Sequence, residues 1–122
     1  MSQKFKSYAL GKWTAGEGQG QIVLHAVTGE ELGQVTSSGL DFQAMLEYAR
    51  DTGGPVLRGM TFHERALLLK DLAKYLMNRK EEFYGLSTAT GATRADSWVD
   101  IEGGIATFFA YSGIGRREFP NE

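Results

Sequence analysis

Two kinds of apolar pattern divide the chain. Up to about residue 37, short β-prone runs are punctuated by glycine: Ser7-Tyr8-Ala9-Leu10, a turn at Gly11, then Lys12-Trp13-Thr14-Ala15. Gly16-Glu17-Gly18-Gln19-Gly20 separates these from the run Gln21-Ile22-Val23-Leu24-His25-Ala26, which turns through Val27-Thr28-Gly29-Glu30 into Glu31-Leu32-Gly33-Gln34-Val35-Thr36. The spacing predicts hairpins. So few strands are marginal alone and need another surface to pack on.

From residue 38 the apolar period lengthens to that of a helix. Ser38 or Asp41 is placed to cap a short helix carrying Phe42, Met45, Leu46 and Ala49, with Gly53-Gly54-Pro55 expected to end it. Thr61 with Glu64 three residues on is a capping box: each side chain satisfies an orphan amide of the other residue's turn. Phe62, Ala66, Leu69, Leu72, Ala73 and Leu76 then recur at three and four, predicting one buried stripe. A break is expected near Asn78, then a short helix with Phe83, Leu86 and Thr90 inward and Gly91 as its C-cap.

The last helix is expected to start near Thr93 or Asp96 and run to about Gly113. One face carries Trp98, Ile101, Ile105, Phe108 and Ser112; another, Val99, Gly103, Ala106 and Ala110, has almost no bulk. Interior glycine costs a helix about 1 kcal/mol against alanine, so the pair Gly103-Gly104 asks for a reason. Close helix packing is one; a channel that needs width beside the helix is the other.

Composition narrows the classes. With 122 residues, 42% of them hydrophobic, the chain has room for one small domain or part of a larger one. Thirteen basic and fifteen acidic residues, with no basic stripe, argue against nucleic acid. The absence of cysteine excludes disulfides, thiolate metal sites and a cysteine nucleophile from this chain, and fits a cytoplasmic protein. No apolar run reaches membrane-spanning length, and the start from Met1 to Leu10 is too polar for a signal peptide.

The candidate chemistry within these residues is thin. Gly16-Glu17-Gly18-Gln19-Gly20 has the composition of a phosphate loop, but it lies between two strand-like runs instead of opening a helix, so it reads as a hairpin loop. His25 and His63, the two histidines, have no metal-ligand partner at helical spacing. Asp100 and Glu102 point about 200° apart on a helix and fail as a general acid/base pair. Arg94 and Asp96 flank a helix start, where Asp96 suits the N-terminal dipole and Arg94 is free to reach a neighbouring surface. No catalytic, cofactor-binding or metal-ligating residue is nominated.

Leu10-Gly11-Lys12-Trp13, Thr28-Gly29-Glu30, Glu64-Arg65, Gly91 and Tyr111-Ser112-Gly113 occur in the order in which aldehyde dehydrogenases place a strand pair, a Thr-Gly-Glu turn, a helix opened by Glu-Arg, and a long helix ending in Tyr-x-Gly. Essentially the whole chain resembles the N-terminal part of that family. Thr90 to Ile105, the block Thr61-Phe62 with Glu64-Arg65-Ala66, and His25-Ala26 before the Thr-Gly-Glu turn look most like the phenylacetate-degradation bifunctional branch, which joins a dehydrogenase domain to a ring-opening hydratase domain. The wider family has Asn-Pro where this chain has His25-Ala26.

The resemblance implies an α/β fold: β-hairpin strands (1–37) followed by three or four helices (38–122), a helix-rich, incomplete N-terminal portion of a larger Rossmann-like domain. It implies a parent that uses NAD(P), a cysteine thiolate and a water-activating glutamate to oxidise an aldehyde, with a coenzyme A-linked semialdehyde as the expected substrate. The chemistry lies outside this chain, which is expected to be inactive alone, to bind no cofactor, and to supply scaffold and tunnel wall. By motif position Val99 and Gly103 line the substrate tunnel, and Ala106 follows from spacing; relatives acting on small aldehydes often carry something larger at the position of Gly103. Expected partners are the remainder of the dehydrogenase domain, further copies in a homo-oligomer and a fused hydratase domain. The alternative is a free-standing, non-catalytic assembly module derived from the same fold. Exposure of Trp98, Phe108, Phe109 and Phe119 would favour a missing domain.

Overall fold

The computed structural model describes residues 3–121; Met1, Ser2 and Glu122, the ends of the expected 1–122 span, lie outside the described residues. Two compact units, Met1–Pro55 and Val56–Glu122, are distinguished.

The first unit holds both hairpins. β1 (Lys6–Ala9) pairs antiparallel with β2 (Lys12–Ala15), setting Tyr8 opposite Trp13 with their rings edge to face and centroids 5.3 Å apart. The two-residue turn is Leu10-Gly11, both at positive φ (53° and 76°) as the tight primed turns require. Glycine suits that position at no steric cost; leucine does not. β3 (Gln21–Leu24) pairs antiparallel with β4 (Glu31–Val35), with an irregularity between Val23 and Leu24. The free edge of β4 is covered by the chain start: Gln34 N–H donates to the Gln3 carbonyl, and Phe5 N–H to the Gln34 carbonyl, each at 2.9 Å. Gly33 permits that approach, since a Cβ there would lie 2.5 Å from the Gln3 oxygen.

Asp41, and not Ser38, caps α1 (Phe42–Tyr48), its carboxylate accepting from Ala44 N–H at 2.9 Å. The expected stop at Gly53-Gly54-Pro55 does not occur. The backbone widens into one π-turn (Ala49–Gly53) and resumes as α2 (Gly54–Arg58). Pro55 falls in the first turn of α2, where no N–H is needed, so it is tolerated there. Counted as one bent run, α1 and α2 make the first of four helical pieces.

The second unit is three helices. α3 (Phe62–Asn78) opens on the predicted capping box, with Thr61 and Glu64 bonded reciprocally at 3.2 and 2.7 Å. α4 (Lys80–Ser87) follows the break at Arg79, and a 3₁₀ turn over Thr88–Thr90 ends at Gly91, whose φ of +83° is the left-handed cap. Thr93 and Asp96 form a second capping box, which starts α5 (Arg94–Glu118). The helix continues past Gly113, because Gly115 lies against Ala66 of α3 and Arg116-Arg117 suit the negative end of the dipole.

Small side chains predominate in this core. Ala66, Ala73, Tyr84, Ile105, Ser97 and Ser112 are buried, while Phe62 and Leu72 of the predicted α3 stripe are exposed. On α4, Tyr84 is the buried residue and Phe83 is half-buried, while Leu86 and, in the following turn, Thr90 are exposed, which corrects the expected inward set of Phe83, Leu86 and Thr90. On α5, Ser97 is buried and Trp98 beside it is exposed. Where α3 and α5 run close together, large side chains are squeezed to the flanks.

Candidate functional site

The small-residue face of α5 is exposed. Val99, Gly103, Ala106 and Ala110, spaced by four, three and four, are all exposed. A Cβ built on Gly103 or Gly104 meets nothing within 4 Å, so neither glycine is required by packing among the described residues. Among the described residues, then, no helix lies against the pair. Trp98 borders the strip and is 57% exposed. Phe119 is also exposed and lies against Phe62, with centroids 4.9 Å apart; Phe108 and Phe109 are half-buried.

Behind the strip, α5 is fastened to α4 by polar groups. Ser87 and Ser97 hydroxyls are 2.8 Å apart, a spacing that suits a small polar side chain at the α4 contact. The Arg94 guanidinium sits 4.3 Å above the Tyr84 ring and donates to both Glu81 oxygens at 3.3 Å. Glu102 Oε1 accepts from Lys80 Nζ at 3.0 Å and from the Tyr84 hydroxyl at 2.9 Å. Lys80 and then Tyr84, hydrogen-bonded to it, hold the Glu102 carboxyl below the usual carboxylate range. Burial, then the same carboxylate, pushes the Tyr84 phenol up. A carboxylate held ionised by a cation and a phenol is a clamp and a poor proton acceptor. Asp100, by contrast, is exposed and shares nothing with Glu102.

The remaining sequence candidates are structural. His25 Nδ1 accepts from Val27 and Thr28 N–H at 3.2 and 3.3 Å, closing the turn between β3 and β4. His63 Nε2 lies 3.1 Å from the Phe119 carbonyl oxygen. Asp96 is committed to Thr93, whose hydroxyl and backbone N–H lower its carboxyl pKa. Arg94 reaches α4. The Gly16–Gly20 segment does not fit a dinucleotide: it joins two strands, and Cβ positions at Gly16 and Gly20 lie 2.5 and 2.7 Å from the Thr36 and Val35 carbonyl oxygens, so these glycines are closed against neighbouring backbone. The Lys80–Glu102 clamp was missed in the sequence because its partners stand 22 residues apart, on different helices.

A model of the aldehyde dehydrogenase family matches residues 13–121. The chain belongs to that family. Over 114 residues, 93% of its length, it is 37% identical to a 3,4-dehydroadipyl-CoA semialdehyde dehydrogenase of Aromatoleum evansii. The chain spans 22% of the length of that relative.

Proposed function

We propose that this chain is the N-terminal segment of an NAD(P)-dependent dehydrogenase that oxidises a coenzyme A-linked semialdehyde to the acid in aromatic, phenylacetate-type catabolism in the cytoplasm. The segment supplies scaffold and one wall of the substrate path to a larger Rossmann-like domain; the nucleophile and the dinucleotide site belong to the remainder. The relative's name supports the substrate class. The observation that carries the role of the segment is the exposed strip Val99, Gly103 and Ala106, whose central glycine has open space where a side chain would stand. Exposed Trp98 and Phe119 favour a covering domain over a free-standing assembly module. The parent is read as a homo-oligomer.

Two measurements test this. An antibody raised to the chain, used on source cells, should find a band several times larger than 13.4 kDa; a band near 13.4 kDa would leave the module reading standing. In the full-length enzyme, Gly103→Met should raise KM for a coenzyme A-linked semialdehyde and spare short aldehydes. Equal loss for both would sink the tunnel role.

A further inference from the structure

The Glu102 clamp stands immediately before the weakest point of α5. Gly103 and Gly104 have no side chains, and nothing packs where those side chains would be. The Thr107 hydroxyl donates back to the Gly103 carbonyl at 3.1 Å, a contact that bends helices. On the N-terminal side of this joint α5 is tied to α4 at Arg94, Ser97 and Glu102. On the far side Ile105 and Ser112 are buried and Gly115 meets Ala66 of α3. The helix is thus held in two halves by two different neighbours, and the glycine pair between them lies in the middle of the exposed strip.

We propose that Glu102 is a positioning residue: by tying α5 to Lys80 and Tyr84 of α4 next to the glycine joint, it fixes where Val99 lies relative to Gly103 and Ala106, and through that strip which aldehydes the parent enzyme accepts. The inference rests on the reading of that strip as a wall of the substrate path. Glu102 is suited to the task. Its side chain is 21% exposed, one of its oxygens takes both hydrogen bonds, and the phenol that donates to it is itself buried at the α4–α5 contact. Loss of the carboxylate removes the tie nearest the glycines and lets the turn at Val99 shift against the second half of the strip, while Arg94 and Ser97 still hold the start of α5 to α4. Such a displacement acts on fit, and it acts most on the largest substrate.

The experiment is steady-state kinetics of the full-length enzyme with a coenzyme A-linked semialdehyde and with a short free aldehyde, for Glu102→Ala, Glu102→Gln and Gly103→Met. Glu102→Ala should raise KM for the coenzyme A-linked substrate about tenfold, leaving kcat and the short aldehyde's KM in place. Glu102→Gln keeps an oxygen to accept from both partners and should restore most of that KM. Equal losses for both substrates, or a Gln variant that recovers Tm without recovering KM, would overturn the proposal. If Glu102→Ala does not fold, Tyr84→Phe must shift the KM ratio in the same direction, and an unchanged ratio overturns it. Discrimination by Gly103→Met without any by Glu102→Ala removes the Glu102 role alone; no discrimination by Gly103→Met removes the strip reading and this inference with it.

Discussion

Ala66 and Gly115 set how closely α3 and α5 approach: a Cβ on Gly115 would stand 3.0 Å from the Ala66 Cβ. A methyl already needs a few tenths of an ångström of give, so a branched side chain must push the helices apart. Gly115→Leu is expected to destabilise the fold by about 1–3 kcal/mol, the usual cost of overpacking. A urea midpoint unchanged from that of the unsubstituted chain would show that α5 is free to move off α3 at this point.

The two helix starts rest on hydroxyls. Thr61 accepts from Glu64 N–H at 3.2 Å, and Glu64 answers by accepting from Thr61 N–H. Thr61→Ala is expected to cost about 1 kcal/mol, and Thr61→Ser to recover most of it, because serine caps as well as threonine does. Denaturant unfolding followed by helical circular dichroism measures both.

Acid and alkali act on opposite ends of the Glu102–Tyr84 bond. The Glu102 carboxyl is held below its ordinary value, so its stabilisation is full above the ordinary carboxylate range and is lost as pH falls through the lowered value. The Tyr84 phenol is pushed up, so its stabilisation is full below the ordinary phenol value of about 10 and is lost as pH rises through the raised one. A plot of Tm against pH should therefore slope at both ends. In Glu102→Gln the acid slope should flatten, while the alkaline one persists because burial is the larger cause at Tyr84. An acid limb of equal steepness in both proteins would place the acid-sensitive group elsewhere.

Leu10 holds a positive φ of 53° in the β1–β2 turn. Left-handed backbone costs a branched side chain roughly 1–2 kcal/mol, whereas asparagine adopts it readily, and Asn-Gly is the favoured pair for this turn. Leu10→Asn should raise the stability of the hairpin by up to about 1 kcal/mol, offset in part by the apolar contact that Leu10 gives up. Amide hydrogen exchange across β1 and β2 reads the change, and faster exchange would show the contact to be worth more than the strain.

Much of the fold is legible in the order of residues. The Thr61–Glu64 box, the break near Asn78, the Gly91 cap and the Gly11 turn are local devices, fixed by residues within four positions of one another, and each stands where its spacing placed it. The candidate strip is legible in the same way, since Val99, Gly103 and Ala106 share a face by helical period alone. Family membership is legible because it is carried by short motifs in a fixed order along the chain.

Which apolar residues go inside is not legible. The periodicity on α3 marks Phe62 and Leu72 equally with Ala66 and Ala73, and only the approach of α5 selects the alanines, because a close helix crossing rewards small side chains and expels large ones. Burial of Ser97 follows the same rule, through a 2.8 Å hydroxyl contact with α4. The stop expected at Gly53-Gly54-Pro55 fails because a π-turn absorbs what the propensities forbid. The sequence by itself determined the helix starts, the tight turns and the small-residue face of α5, all interactions of near neighbours. Tertiary structure alone decided the small-residue core and the tie of Glu102 to Lys80 and Tyr84, since those depend on which helices meet and how closely.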